Sequence, residues 1–287
     1  MPTVRIVTDS TCDLPAALAQ EQQIAVVPAT VLVDGRAFRD GVDITTDAVL
    51  RAVPAGGDRP APATLPPASE AFEQVFRRLQ RERADGIVAV LASTHLSGAY
   101  RAALAARDAH ALRTFPIAVL DSQSISMGLG LIVLEAARAA AGGAAWNEVV
   151  TTVQRAVPQT HVAFLVESLE PLLRSGRAPR LIPTAETMPA LKPLLRLDTG
   201  RVVPFERTRT RYKALEALYA FIEDFPHVER LALLHSTSGP EVEALANRLA
   251  AAGTLPRDQI AVLTYGPAIA TVIGAGAIAA AVDEGAA

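Results

Sequence analysis

Short, largely apolar runs recur along this chain with helix-patterned stretches between them, and this alternation most narrows the architectures open to it. Val4 to Thr8, Ile24 to Val27, Ile87 to Leu91 and Ile117 to Leu120 are too short for helices and too uniformly apolar for a half-exposed sheet. They read as strands buried on both faces. Asp13 followed by Leu14-Pro15 predicts an N-cap and first turn of a helix to about Gln22. Further helices are expected from about Glu70 to Arg83 and from about Gly98 to Leu112. Strand, helix, strand in this order is the grammar of a parallel sheet covered by helices. Val31 to Val33 and Arg36 to Phe38 are strand-like and flank an Asp34-Gly35 turn signal, whereas Pro54 to Ser69, rich in Pro, Ala and Gly, predicts an ordered loop or linker, neither helix nor strand.

Gly128 to Ala141 is helical by composition, Gly142-Gly143 ends it, and Asn147 is expected to cap a helix to about Val157. A boundary near Pro158 follows. Beyond it the order of elements is more mixed: a strand Val162 to Val166, a short helix ending at Ser175-Gly176 and a β-rich stretch from Leu191 to Glu206. Then come a helix from Tyr212 to Asp224, a strand Leu231 to His235, a helix Pro240 to Ala252 and a strand Ile260 to Leu263. The expectation is an α/β protein of two domains. Residues 1–158 form a parallel-sheet, Rossmann-like layer and residues 159–287 a mixed α/β domain, with a ligand between or beneath them.

At 287 residues with half of them hydrophobic, the chain can bury a large core. A net charge of −3 and scattered basic residues argue against nucleic acid as a partner. The single cysteine, Cys12, excludes an intramolecular disulfide and fits a reducing compartment; it reads as an inert small residue at a turn. No basic then apolar run precedes Val4, so a cytoplasmic location is expected. Ile260 to Val282 is uncharged and long enough to span a bilayer, but Gly266-Pro267, Gly274 and Gly276 interrupt it, so we expect a buried strand, a turn and a second element, not a membrane span.

The residues just past the strand ends carry most of the chemical information. Strand one runs into Thr8, Asp9, Ser10 and Thr11; the strand at Ile87 into Ser93, Thr94, His95, Leu96, Ser97 and Gly98; the strand at Ile117 into Asp121, Ser122 and Ser124. In an open parallel sheet these loops converge where ligands bind and where helix N-termini present free N–H groups. Ser10, Ser93, Thr94 and Ser122 are thus candidate ligand contacts, alongside the plainer reading that such residues cap helices. Hydroxyls without a lysine or arginine in the same loops suit a singly charged acid better than a phosphate. No catalytic constellation assembles. There is no G-x-S-x-G elbow, no phosphate-cradling glycine loop, and the histidines, His110 in a helix pattern among them, show no metal-ligand spacing. Asp9 with Asp121 as paired carboxylates is weaker than capping.

Six segments in register resemble the DegV family, which includes the fatty-acid-binding FakB proteins. They are Thr8-Asp9-Ser10-Thr11-Cys12-Asp13-Leu14-Pro15, Ser93-Thr94-His95-Leu96-Ser97-Gly98-Ala99-Tyr100, Asp121-Ser122-Gln123-Ser124-Ile125-Ser126-Met127-Gly128-Leu129-Gly130, Ser175-Gly176-Arg177, Leu191-Lys192-Pro193, and Arg209-Thr210-Arg211 with Lys213-Ala214. The resemblance implies a carrier that buries a long-chain fatty acid such as palmitate, with no other cofactor, and presents its carboxylate to a fatty acid kinase. It implies Ser93 and Thr64 as carboxylate contacts, and Arg177 and Arg209 as basic positions facing the partner. Arg207, Arg209 and Arg211 alternate, so in an extended segment they are expected to project to one face. The chain departs from the family pattern at Leu65-Pro66, where Ser-Gln is usual, and at Val272, where a histidine often stands. The apolar content leaves room for a lipid tail. The rival reading is a serine-dependent acyl hydrolase or transferase using Ser93, and against it His95 lies too close along the same loop to reach that hydroxyl.

Overall fold

The computed structural model describes residues 3–53, 60–109, 112, 114–178 and 191–285. The chain opens with β1 (Val4–Asp9), a 3₁₀ turn over Ser10–Cys12, α1 (Ala16–Glu21) and β2 (Ala25–Val27). There follow β3 (Thr30–Val33), β4 (Arg36–Arg39), α2 (Thr46–Ala52), β5 (Ala63–Leu65), α3 (Ser69–Arg81), β6 (Gly86–Leu91), α4 (Ala99–Arg107), β7 (Ile117–Asp121), α5 (Met127–Ala141) and α6 (Trp146–Ala156). The expected parallel layer is present, with strand order β2-β1-β6-β7 and every pairing parallel. All six residues of β6 are buried. Successive side chains of a strand point to opposite faces, so Ile87, Ala89 and Leu91 meet Phe72, Phe76 and Leu79 of α3 on one side. Val88 and Val90 meet α5 and α6 on the other. Each fully buried phenylalanine contributes roughly 1.5–3 kcal/mol.

The second half supplies β8 (Thr160–Leu165), α7 (Glu170–Arg174), β9 (Leu194–Asp198), β10 (Arg201–Glu206), α8 (Arg211–Glu223), β11 (Arg230–His235), α9 (Gly239–Ala252), β12 (Ile260–Thr264), α10 (Pro267–Ile273) and β13 (Ile278–Asp283). Its six strands run in the order β10-β9-β8-β13-β11-β12, with only β11 and β12 paired in parallel. β9 and β10 form an edge hairpin whose turn residues, Thr199 and Gly200, have φ of 46° and 77°, as a two-residue turn matched to strand twist requires. Its register shifts between Pro204 and Glu206. α5 packs against strands of both large sheets: Leu129, Ile132 and Val133 belong to the core of the first sheet, Met127 and Leu131 to that of the second. A Cβ on Gly128 would overlap Val162 and Ser124, and one on Gly130 would come within 2.8 Å of the Cys12 carbonyl. These glycines thus permit close packing at the start of α5.

Five expectations need correction. Asp13 does not N-cap α1: it adopts φ 53° at the end of the 3₁₀ turn, α1 begins after Pro15, and the Asp13 carboxylate accepts from Ser126 Oγ and from Gly266 N at 2.8 Å. Asn147 lies inside the first turn of α6, where the Glu148 carboxylate instead accepts from Ala145 N at 2.7 Å. The stretch from Pro54 to Ser69 contains β5, which pairs with β3 to complete a small antiparallel sheet, β4-β3-β5; residues 54–59 lie outside the described residues. α4 ends at Arg107, short of the expected Leu112, and His110 is also outside the described residues. The uncharged stretch after Ile260 holds three elements: β12, the short helix α10 and β13, the buried strand that joins β8 to β11. Among the described residues no helix is long and apolar enough to cross a membrane.

Polar side chains fasten α10, which packs on α2, β3 and β5. Asp40 accepts from Ala268 N at 2.8 Å and from Ser10 Oγ at 2.6 Å, Ser10 Oγ accepts from Ala29 N at 2.9 Å, and Thr46 Oγ1 donates to the Tyr265 carbonyl at 2.7 Å. Although Asp13 as a residue is only partly covered, burial of its carboxyl, resisted by the hydrogen bonds from Ser126 and Gly266, pushes it up to about 7. In the unfolded chain an aspartate titrates near 3.9, about the model peptide value. Between those values the folded protein holds a proton that the unfolded chain has lost, so this group's contribution falls as pH rises and is constant above about 7. Urea denaturation at pH 5 and pH 8 should therefore show a larger loss of stability for the wild-type chain than for Asp13→Asn; equal losses would show that Asp13 carries no such linkage.

Candidate functional site

The loops after β1, β6 and β7 do converge, and they do so by bonding to one another. Asp9 is fully buried and accepts from Thr11 N at 3.0 Å, from Thr11 Oγ1 and from Ala92 N at 3.0 Å; burial raises its pKa. Ser93 N donates to the Ser124 carbonyl at 2.8 Å, and Ser126 N to that of Thr11 at 2.7 Å. Asp121 accepts from Thr94 Oγ1 at 2.8 Å and from Gln123 N at 2.9 Å. Asp9 and Asp121 therefore bind loop amides and hydroxyls, not each other. Ser122 Oγ donates to the Ser124 carbonyl at 3.2 Å, and Ser10 is committed to Asp40 and Ala29. None of Ser10, Ser93 and Ser122 is among the residues lining the two cavities described next. Cys12 is buried, which pushes its thiol up and keeps it protonated.

Beside these loops lies an apolar cavity of about 60 Å³. Val162 and Phe164 of β8, Ala279 of β13, Leu197 and Val202 of the hairpin, and Ile269, Val272 and Ile273 of α10 form most of its wall. Leu96 and Arg177 are shared with a second, open cleft of about 490 Å³ that is polar: Thr64, Thr94, His95, Ser97, Arg101, Arg174 and Thr271 line it. Hydroxyls and arginines here thus adjoin an apolar interior. Thr64 Oγ1 donates to the Ala268 carbonyl at 3.2 Å and lies 2.8 Å from Thr271 Oγ1. Arg177 donates from Nε to the Leu96 carbonyl at 2.9 Å and from Nη2 to that of Thr64 at 3.1 Å. Burial lowers its pKa, and among the described residues no carboxylate pairs with it. A partly buried cation bonded only to neutral carbonyls keeps the capacity to pair with an anion.

The loops themselves carry no lysine or arginine, but Arg101, Arg174 and Arg177 reach the cleft from α4, α7 and the segment after α7. The argument from absent cations, made on sequence neighbours, therefore fails in space. Arg177 was marked only by the family resemblance, and there as a partner contact; Arg101 and Arg174 carried no signal. Ser93 is fully buried, donates to the Gly200 carbonyl at 2.7 Å and accepts from His95 N at 3.2 Å. Its hydroxyl proton faces a peptide carbonyl, not a base. Arg207 and Arg209 are exposed, but Arg211 does not share their face. β10 has ended at Glu206 and Thr210 caps α8, so Arg211 turns inward to Glu167, to Glu241 at 2.7 Å, to Ser238 Oγ at 2.7 Å and to the Gly276 carbonyl at 2.7 Å. Among the described residues no group of three or more His, Cys, Asp or Glu side chains could hold a metal ion.

Comparison with known proteins gives a consistent picture. The family model described as "Uncharacterised protein, DegV family" matches residues 3–284. A DegV domain-containing protein of Mycobacterium tuberculosis is 38% identical over 292 residues, 99% of this chain and 98% of that one. Another, of Streptomyces coelicolor, is 36% identical over 249 residues, 86% of each. Among solved structures, a fatty-acid-binding DegV family protein from Thermus thermophilus is similar with a TM-score of 0.87 and 31% identity, covering 98% of this chain and 99% of that one. DegV of Bacillus subtilis, a fatty acid binding protein, shares the fold with a TM-score of 0.85 at 21% identity, over 99% and 100% of the two chains.

One wall residue of the apolar cavity is strained. Ser126 has φ 55° and ψ −145°, near a region that is essentially glycine-only and costs other residues about 1–3 kcal/mol. Its hydroxyl is donated to Asp13. Ser126→Ala keeps the strain and loses the bond, whereas Ser126→Gly loses the bond and relieves the strain. By thermal denaturation Ser126→Gly should be the more stable of the two by about 1 kcal/mol. The reverse order would mean that the backbone here is not under strain.

Proposed function

This chain belongs to the DegV family, and on that premise we propose that it is a non-catalytic carrier of a long-chain fatty acid, which it buries by the tail and presents by the carboxylate to a fatty acid kinase in the cytoplasm. The observation that carries this reading is Arg177, a cation without an acidic partner among the described residues, shared by the apolar cavity and the polar cleft. In this reading residues 1–158 and 159–287 act as two domains with the cavity at their junction. The tail lies among Phe164, Leu197, Val202 and Ile273, and the head group lies toward Thr64, Arg177 and Ser93, the last once its hydroxyl turns from Gly200. Thr94 borders the cleft, and Ser10 and Ser122 hold the loops. A buried methylene contributes about 0.8 kcal/mol, so the tail supplies most of the affinity and the polar groups set its direction. The fatty acid bound by the Thermus thermophilus protein supports the ligand class; the kinase step rests on the motif resemblance. No observation favours Ser93 as a nucleophile, since its hydroxyl is donated to a carbonyl.

Mass spectrometry of an organic extract of the purified protein should find a long-chain fatty acid at one per chain, and a protein that yields none and takes up none would overturn the carrier reading. Arg177→Gln should weaken fatty acid binding by about 1.5–3 kcal/mol, the range for a hydrogen bond to a charged group, and Thr64→Val by about 1 kcal/mol. Unchanged affinity in both would put the head group elsewhere. The exposed Arg207 and Arg209 supply the partner face. Arg209→Glu should slow association with a fatty acid kinase and leave fatty acid affinity intact; loss of the lipid instead would assign Arg209 to the pocket.

A further inference from the structure

The apolar cavity, at about 60 Å³, is well below the roughly 300 Å³ at which small-molecule pockets begin. Admitting an acyl chain therefore requires a wall to move. β8 and β13 are interior strands of the six-stranded sheet. The loops at Leu96 and Ser126 are bound into the end of the first sheet. α10 is held by Asp13 and Asp40, and the segment after α7 by Arg177. The β9–β10 hairpin differs from all of these. Its outer strand β10 is the sheet edge and β9 pairs with β8 over Leu194–Arg196; beyond that pairing the hairpin contributes Leu197 and Val202 to the cavity and has its turn tied to the loop after β6 by the bond from Ser93 Oγ to the Gly200 carbonyl. The turn is seated closely, since a Cβ on Gly200 would overlap Ser93 Oγ and come within 3.3 Å of Gln123 Cα.

We propose that the β9–β10 hairpin is the gate of the apolar cavity and that the Ser93–Gly200 hydrogen bond is its latch, released when the ligand carboxylate takes the Ser93 proton in place of the carbonyl. A serine hydroxyl has one hydrogen to donate, so the two acceptors exclude each other. A carboxylate is the stronger acceptor, because charge-assisted hydrogen bonds are roughly twice as strong as neutral ones. Loading thus frees the turn, and the hairpin reports occupancy at the surface through its exposed residues Pro204 to Glu206. The inference rests on the carrier reading with its head group at Ser93, and the experiment separates the two.

Hydrogen–deuterium exchange is followed by mass spectrometry on the full chain stripped of bound lipid, with and without added palmitate, in peptides spanning 194–206. Palmitate should speed exchange at the turn on the order of tenfold, as expected when a local tether is lost. Ser93→Ala should exchange at that faster rate without palmitate, and so should Gly200→Ala, which keeps the Ser93 hydroxyl but cannot seat the turn. A wild-type chain that binds palmitate with unchanged or slower exchange at the turn overturns the latch and leaves the carrier reading standing. Folded variants that exchange like the wild type also overturn it. A chain that takes up no palmitate overturns the carrier reading, and the latch with it.

Discussion

The first half of helix α5 has to be buried on every side, and the arrangement of the two large sheets follows from that requirement. A helix with an apolar residue at nearly every position cannot face water on any flank, and from Met127 to Val133 each residue of α5 is buried. One sheet covers Leu129, Ile132 and Val133; the other covers Met127 and Leu131. Gly128 lets its first turn approach β8 with no intervening side chain. The loops that precede this helix, carrying Ser122, Ser124 and Ser126, are brought by the same packing against the cavity and the second sheet. The helix thus fixes the distance between the two halves of the site. The glycine spacing at Gly128 and Gly130 is accounted for by packing.

Much of the fold was legible because its signals are local. The strands of the first sheet announce themselves as apolar runs, and the uninterrupted burial along β6 is what such runs predict in a sheet covered on both faces. The failures share a cause. Asp13 resembles a cap by its neighbours Leu14 and Pro15, but its carboxylate is taken by Gly266, 253 residues away. β13 lies within an Ala-rich stretch with neither a helical nor an alternating period, and its strand state is imposed by β8 and β11 on either side. β5, in a Pro-rich segment, is a strand because β3 offers it an edge.

The site divides in the same way. Convergence of the hydroxyl loops could be inferred from the strand ends, but not which hydroxyls remain available, because that depends on partners such as Asp40 for Ser10 and Gly200 for Ser93. The charge of the cleft was misjudged because Arg177 donates to carbonyls 81 and 113 residues away in sequence. A composition argument confined to loops sees only the groups that a loop owns. Arg211 shows the converse: it alternates with two exposed arginines in sequence, yet four partners from three other parts of the chain draw it inward.

The edge formed by β10 carries Pro204, and its register with β9 shifts just beyond that residue. A proline presents no amide hydrogen and an irregular register breaks the even spacing of the donors and acceptors that remain. Strands of other chains add most readily to edges that are long, straight and fully equipped with both groups. This border of the six-stranded sheet is therefore poorly suited to recruit a second molecule by strand addition, and protection against aggregation is built into the same hairpin that walls the apolar cavity.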